Sequence, residues 1–110
     1  MKYIIPENKL DKIVFKYLDN TLKHLEKRKA KFYDGFVLTY PHEKHGILGY
    51  ENGVTLFINN ELINQIYSVF GLEKSDIKPL IIRWVIDRLQ LKVRNTRCLY
   101  ISNHPNLEID

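Results

Sequence analysis

Residues 47–58 read Ile47-Leu48-Gly49-Tyr50-Glu51-Asn52-Gly53-Val54-Thr55-Leu56-Phe57-Ile58. Two runs rich in β-branched and aromatic residues flank Asn-Gly, the pair that most readily takes positive φ at both centres of a two-residue hairpin turn. This stretch commits the chain to antiparallel sheet. A two-residue loop sets Glu51 opposite Val54, Tyr50 opposite Thr55, Gly49 opposite Leu56, Leu48 opposite Phe57 and Ile47 opposite Ile58. On that register one face holds Ile47, Val54, Leu56 and Ile58, and the other Leu48, Tyr50, Thr55 and Phe57. Both faces are apolar enough to need cover, from helices on both sides or from a partner. Leu48, Tyr50 and Phe57, with Tyr33 and Tyr40 nearby, therefore form a candidate protein-binding patch, since Tyr and Phe are enriched in interface cores. The competing reading is burial beneath a helix.

Upstream, Pro6 and Glu7 suit a helix start. Leu10, Ile13, Val14, Tyr17 and Leu18, extended by Leu22 and Leu25, recur at helical spacing and predict an amphipathic helix over residues 7–25. The basic run 27–31 reads as its frayed end or a linker. Residues 32–40, aromatic and β-branched around Gly35, predict a strand.

Downstream, Asn59 or Asn60 can cap a helix whose stripe is Leu62, Ile63, Ile66, Tyr67 and Phe70, with Gly71 placed to end it. Ser75 or Asp76 caps a third helix, with Pro79 near its start. Ile77, Leu80, Ile81, Trp84 and Val85 lie on one stripe and Ile82, Ile86 and Leu89 on another, which predicts a central helix, apolar nearly all round. Leu91, Val93 and residues 98–101 predict a last strand or hairpin. The expected fold is α+β: a short antiparallel sheet, mostly a meander, packed by three helices in the order α-β-β-β-α-α-β. One domain is expected over residues 1–102, followed by a loose tail over 103–110.

The 110 residues are 45% hydrophobic and 27% charged, which excludes a disordered chain, a collagen-like chain and a disulfide scaffold. Cys98 is the one cysteine, so no internal disulfide forms. No apolar run approaches the roughly 20 residues of a membrane span, and a cytoplasmic protein is expected, without membrane partners. Seventeen basic against thirteen acidic residues give a net charge of +4, gathered in two blocks. Lys23, Lys27, Arg28, Lys29 and Lys31 oppose Glu26; Arg83, Arg88, Lys92, Arg94 and Arg97 oppose Asp87. Such blocks attract phosphate backbones, with Phe32, Tyr33 and Tyr100 placed for stacking. Lys23, Lys27, Arg28, Lys29, Lys31, Arg88, Lys92, Arg94 and Arg97 are thus the candidate nucleic-acid contacts.

Other chemistries have weaker support. His42 and His45, with His104 or Cys98, offer zinc ligands, but the string misses H-E-x-x-H by one residue and lies in a turn. Residues 60–70 and 76–90 have helix-turn-helix lengths, yet the second helix exposes few groups that read bases. Cys98 beside His104 or His42 reads better as a small buried hydrophobe than as a nucleophile. No phosphate loop, nucleophile elbow or carboxylate pair is present. No enzyme activity and no cofactor or metal is expected.

Met1-Lys2-Tyr3-Ile4-Ile5-Pro6-Glu7-Asn8-Lys9-Leu10 resembles the start of many small proteins of large tailed bacteriophages, marine ones especially. Gly53-Val54-Thr55-Leu56-Phe57-Ile58-Asn59-Asn60-Glu61-Leu62, then Phe70 and Ile81-Ile82-Arg83-Trp84, is similar to the middle of such proteins. The resemblance implies a phage source, in the host cytoplasm or the virion, and carries over no functional residues. The expected function is a non-catalytic interaction or structural module that binds itself or another phage or host protein. The alternative is a sequence-tolerant nucleic-acid binder.

Overall fold

The computed structural model describes residues 7–100 and 104–110. The elements run α1 (Glu7–Thr21), β1 (Glu26–Lys29), β2 (Gly35–Thr39), β3 (Leu48–Glu51), β4 (Thr55–Asn59), α2 (Asn60–Phe70), α3 (Lys74–Arg88) and β5 (Asn95–Leu99), with a 3₁₀ turn at Pro105–Leu107. This is the expected α+β architecture with one more strand, but the sheet is mixed instead of the expected antiparallel one. The sheet order is β1-β2-β3-β4-β5. The first four strands form an antiparallel meander, and β5 lies parallel to β4 after the crossover through α2 and α3.

The hairpin keeps its turn but not its register. Asn52 and Gly53 both have positive φ, 53° and 74°, and Val54 N–H donates to Glu51 C=O at 3.1 Å. The Val54 carbonyl, however, accepts Arg94 N–H (2.8 Å) and Asn95 N–H (3.2 Å), so Val54 serves the entry of β5. Pairing with β3 then begins one residue later, at Glu51↔Thr55, and runs to Leu48↔Ile58 through Gly49↔Phe57. A one-residue slip exchanges faces. Leu48, Leu56 and Ile58 join the main core with residues of all three helices, including Leu18, Ile66, Ile81 and Trp84, whereas Phe57 faces the opposite side.

That opposite side is covered by the C-terminal segment. Leu107 is fully buried against Phe57, Leu99 and Tyr33. Gly49 makes the fit possible: a Cβ there would lie 2.7 Å from Tyr33 Oη and 3.2 Å from the Asn106 carbonyl. The expected loose tail is therefore corrected over residues 104–110. Gly46 N–H donates to Leu107 C=O, Lys31 N–H to Glu108 C=O and Asp110 N–H to Lys29 C=O, at 2.9, 3.1 and 3.0 Å.

Helix expectations also change, and α3 starts at Lys74, ahead of the expected Ser75 or Asp76 cap. α1 ends at Thr21, four residues early, where Tyr40 Oη donates to the Thr21 carbonyl at 3.0 Å and satisfies an orphan acceptor. The basic run then forms β1 instead of a frayed end. α3 lies centrally, packed against both α1 and α2 and burying Ile77, Leu80, Ile81, Trp84 and Val85, but Ile86 is exposed, so it is not apolar all round. α2 has the expected ends, with Asn59 Oδ1 accepting Glu61 N–H at 2.9 Å and Gly71 closing the helix at φ 66°, but its buried stripe is Leu62, Ile63 and Ile66, and Tyr67 is half-exposed.

Candidate functional site: the two sheet edges

The expected aromatic patch is corrected by burial and by the register slip. Leu48, Tyr50 and Phe57 are 1%, 8% and 2% exposed, and Phe57 does not share a face with the other two. Tyr50 Oη lies 2.6 Å from the Gly53 carbonyl and 2.5 Å from that of Lys92, tying the hairpin to the approach of β5. These three side chains hold the fold together and leave no surface for a partner.

The two basic blocks flank opposite edges of the sheet, apart from Arg83 and Arg88, which lie on α3. Lys27, Arg28 and Lys29 lie on or at the bounds of β1, with Lys23 before it and Lys31 after it; Arg97 lies on β5, with Lys92 and Arg94 leading in. Four strand spacings of about 4.8 Å separate the edges, roughly 19 Å. Arg28 pairs with Glu26 (3.7 Å), Lys29 with Asp110 (3.8 Å), Lys31 with Glu108 (3.1 Å), and Arg88 with Asp19 (3.1 Å) and Asp87 (2.6 Å). Among the described residues, Lys23, Lys27, Lys92, Arg94 and Arg97 have no carboxylate in ion-pair range; Lys27 instead sits 4.3 Å from the centre of the Phe36 ring. Of the stacking candidates, Tyr33 is committed to the C-terminal segment, while Phe32 and Tyr100 are exposed.

Edge chemistry follows from which main-chain groups point outward. At β1, Ala30 N–H faces Gly35 C=O, so alternation turns the main chains of Lys27, Lys29 and Lys31 away from β2. The outward positions are thus all lysines, the residue that most deters edge pairing. The C-terminal segment then occupies the Lys29 carbonyl and the Lys31 amide. At β5, Asn95 N–H faces Val54 C=O, so Asn95, Arg97 and Leu99 bond β4, while Thr96 and Cys98 present N–H and C=O outward. Among the described residues no backbone group pairs with that row. Cys98 is free and half-buried, with its side chain on the helix side of the sheet, away from that of Arg97.

The remaining sequence candidates disperse. His42 sits exposed in the β2–β3 turn at φ 71°, and His104 Nδ1 already accepts Asn106 N–H at 3.1 Å. Among the described residues no three His, Cys, Asp or Glu side chains are grouped to hold a metal ion. α2 and α3 are joined by a short turn, but Arg83 and Arg88 of α3 are engaged by Asp11 and Asp19. A groove of about 530 Å³ between α1 and α3 contains Asp11, Lys12, Phe15, Asp19, Arg83 and Arg88, whose opposite charges largely neutralise one another. Burial alone would raise the Asp19 carboxyl, but hydrogen bonds from Trp84 and Arg88, with the Arg88 charge, hold it below its ordinary value. Burial, and secondarily the charge of Glu51, pushes the Tyr33 phenol up to about 12. Burial, and secondarily Tyr17, raises Tyr40.

Sequence reasoning missed the β5 edge. Its one signal is compositional: Asn95-Thr96-Arg97-Cys98-Leu99 has no lysine at the alternate positions that β1 fills with lysine. Compared with known protein families, curated proteins and solved structures, the chain matches none.

Proposed function

We propose that this protein is a non-catalytic interaction module that takes an extended segment of a partner protein as a sixth strand beside β5. The observation that carries this reading is the outward row at Thr96 and Cys98, next to Lys92, Arg94 and Arg97: among the described residues the row has no backbone partner and the cations have no acidic one. Main-chain hydrogen bonds supply affinity in strand addition, and alternate side chains supply specificity. Three cations beside an open edge favour an acidic strand and repel a basic one. Among the described residues no helix is long and apolar enough to cross a membrane. On the sequence resemblance alone, the setting is a tailed phage, with the module acting in the host cytoplasm or in the virion.

Nucleic acid across both blocks has less support, because the blocks lie on opposite edges and Arg28, Lys29, Lys31 and Arg88 are already paired. Thr96→Pro separates strand addition from charge attraction. It removes an outward donor and leaves the ladder to β4 intact, since proline is tolerated on an edge strand with its nitrogen toward solvent. Fluorescence anisotropy with a labelled β-prone acidic peptide should show at least a tenfold loss of affinity in Thr96→Pro. Equal affinity in both proteins would remove strand addition as the function.

A further inference from the structure

Beside the outward row of β5 lies a pocket of about 310 Å³, bounded by Asn60, Lys74, Ser75, Lys78, Cys98 and Tyr100. Resting on strand addition at β5, we infer that this pocket selects one acidic side chain, a glutamate or aspartate, of the added strand.

The placement follows from sheet geometry. Thr96 and Cys98 point their side chains to the helix side of the sheet, and Cys98 borders the pocket. A residue directly opposite Cys98 in an added strand would set its Cβ about 4.5–5.5 Å away on that same side. Its side chain therefore enters the space between β5 and the start of α3. Neighbouring residues of the added strand point to the other side, toward Arg97.

The chemistry follows from the lining. Lys74, Lys78, Ser75, Asn60 and Tyr100 supply polar side chains to the lining and Ile63 and Cys98 its apolar part, and among the described residues no acidic residue lines it. Glu73 and Asp76 flank Lys74 and Ser75 in sequence but do not line it. Lys74 Nζ is 5.7 Å from the centre of the Tyr67 ring, and among the described residues neither Lys74 nor Lys78 is in ion-pair range of an acid. A carboxylate entering here meets charge-assisted hydrogen bonds from lysine, about twice as strong as neutral ones. A neutral side chain would bring no such gain, and a cationic one would be repelled. The volume lies at the lower end of the roughly 300–1,000 Å³ of small-molecule sites, which suits one side chain better than a cofactor.

The test uses the blocked heptapeptide acetyl-Thr-Val-Thr-Glu-Thr-Val-Thr-amide, in which the glutamate is the one charge, and its Gln and Lys counterparts. Titrations against the full chain should rank Glu above Gln by about tenfold, with Lys weakest. Lys74→Gln combined with Lys78→Gln should abolish the Glu-over-Gln preference while leaving the Gln peptide's affinity unchanged. Thr96→Pro should weaken both peptides. Equal binding of Glu and Gln peptides, both lost in Thr96→Pro, would overturn the acidic selection and leave strand addition standing. Failure of every peptide to bind, or binding indifferent to Thr96→Pro, would overturn strand addition as well. Displacement of the bound Glu peptide by a short single-stranded oligothymidylate would assign the surface to nucleic acid and contradict both.

Discussion

At β1 the outward main-chain positions are Lys27, Lys29 and Lys31, and residues 107–110 close over two of them; at β5 the outward positions are Thr96 and Cys98, with no described residue bonded to them. Both edges leave the sheet with strong donors and acceptors that need partners. β1 meets that need within the chain and discourages further pairing with charge. β5 carries cations too, Arg97 within it and Lys92 and Arg94 before it, but among the described residues no segment closes over its outward row. The difference separates an edge closed within the chain from one whose outward row no described residue bonds, and the proposed strand addition rests on that contrast.

Breaking the finished edge has the largest expected effect. Leu107→Ala removes a fully buried anchor of the C-terminal segment, and a cost of about 3 kcal/mol in urea unfolding is expected. The Lys31 amide should lose protection in the same variant, while the peptide affinity of β5 in the folded protein stays the same. A change confined to β5 would sever the link between Leu107 and β1.

A smaller effect sharpens the same edge. Tyr33 Oη donates to the Asn106 carbonyl at 2.6 Å, and Tyr33→Phe should cost about 1 kcal/mol. Because burial, followed by the charge of Glu51, raises this phenol from 10.0 to about 12, its contribution is whole below pH 10 and is lost as pH rises through 12. Unfolding between pH 9 and 12 should therefore show wild type losing more stability than Tyr33→Phe. Parallel curves would place Tyr33 in solvent.

The smallest effect is a control remote from both edges. Asp19 is held below its ordinary carboxyl value despite burial, by Trp84 and Arg88, so its contribution is present above the usual carboxylate range and is lost as pH falls through and below it. Its side chain is 40% exposed, and Asp19→Asn should cost only a few tenths of a kcal/mol at neutral pH. The variant should flatten the acid limb of the stability curve and leave peptide binding unchanged. A binding defect in Asp19→Asn would mean that the α1–α3 seam communicates with β5.

Much of the fold was legible because local chemistry decided it. Asn52-Gly53 formed its turn, Asn59 capped α2 and Gly71 ended it, each through a residue whose own conformation or hydrogen bond suffices. What failed depended on distant partners. The hairpin register turned on Val54 serving Arg94 and Asn95, some forty residues away in sequence, and that slip moved Phe57 to the back of the sheet. β1 was unreadable because Glu26-Lys27-Arg28-Lys29 has no apolar alternation; it is an edge strand held by its neighbours. The C-terminal segment looked loose because its anchor is one leucine, whose seat depends on the absent side chain of Gly49. The basic residues were found, but their separation onto two edges is a property of strand order, which composition does not encode.

Site-resolved amide hydrogen exchange, on the free protein and with the blocked glutamate heptapeptide bound, tests the contrast between the edges most directly. Fast exchange at Thr96 and Cys98 is expected in the free protein, with strong protection of both on binding and slow exchange of Lys31 and Asp110 in either state. Protection of Thr96 and Cys98 before peptide is added, or protection gained at Lys27 and Lys29 instead, would contradict it.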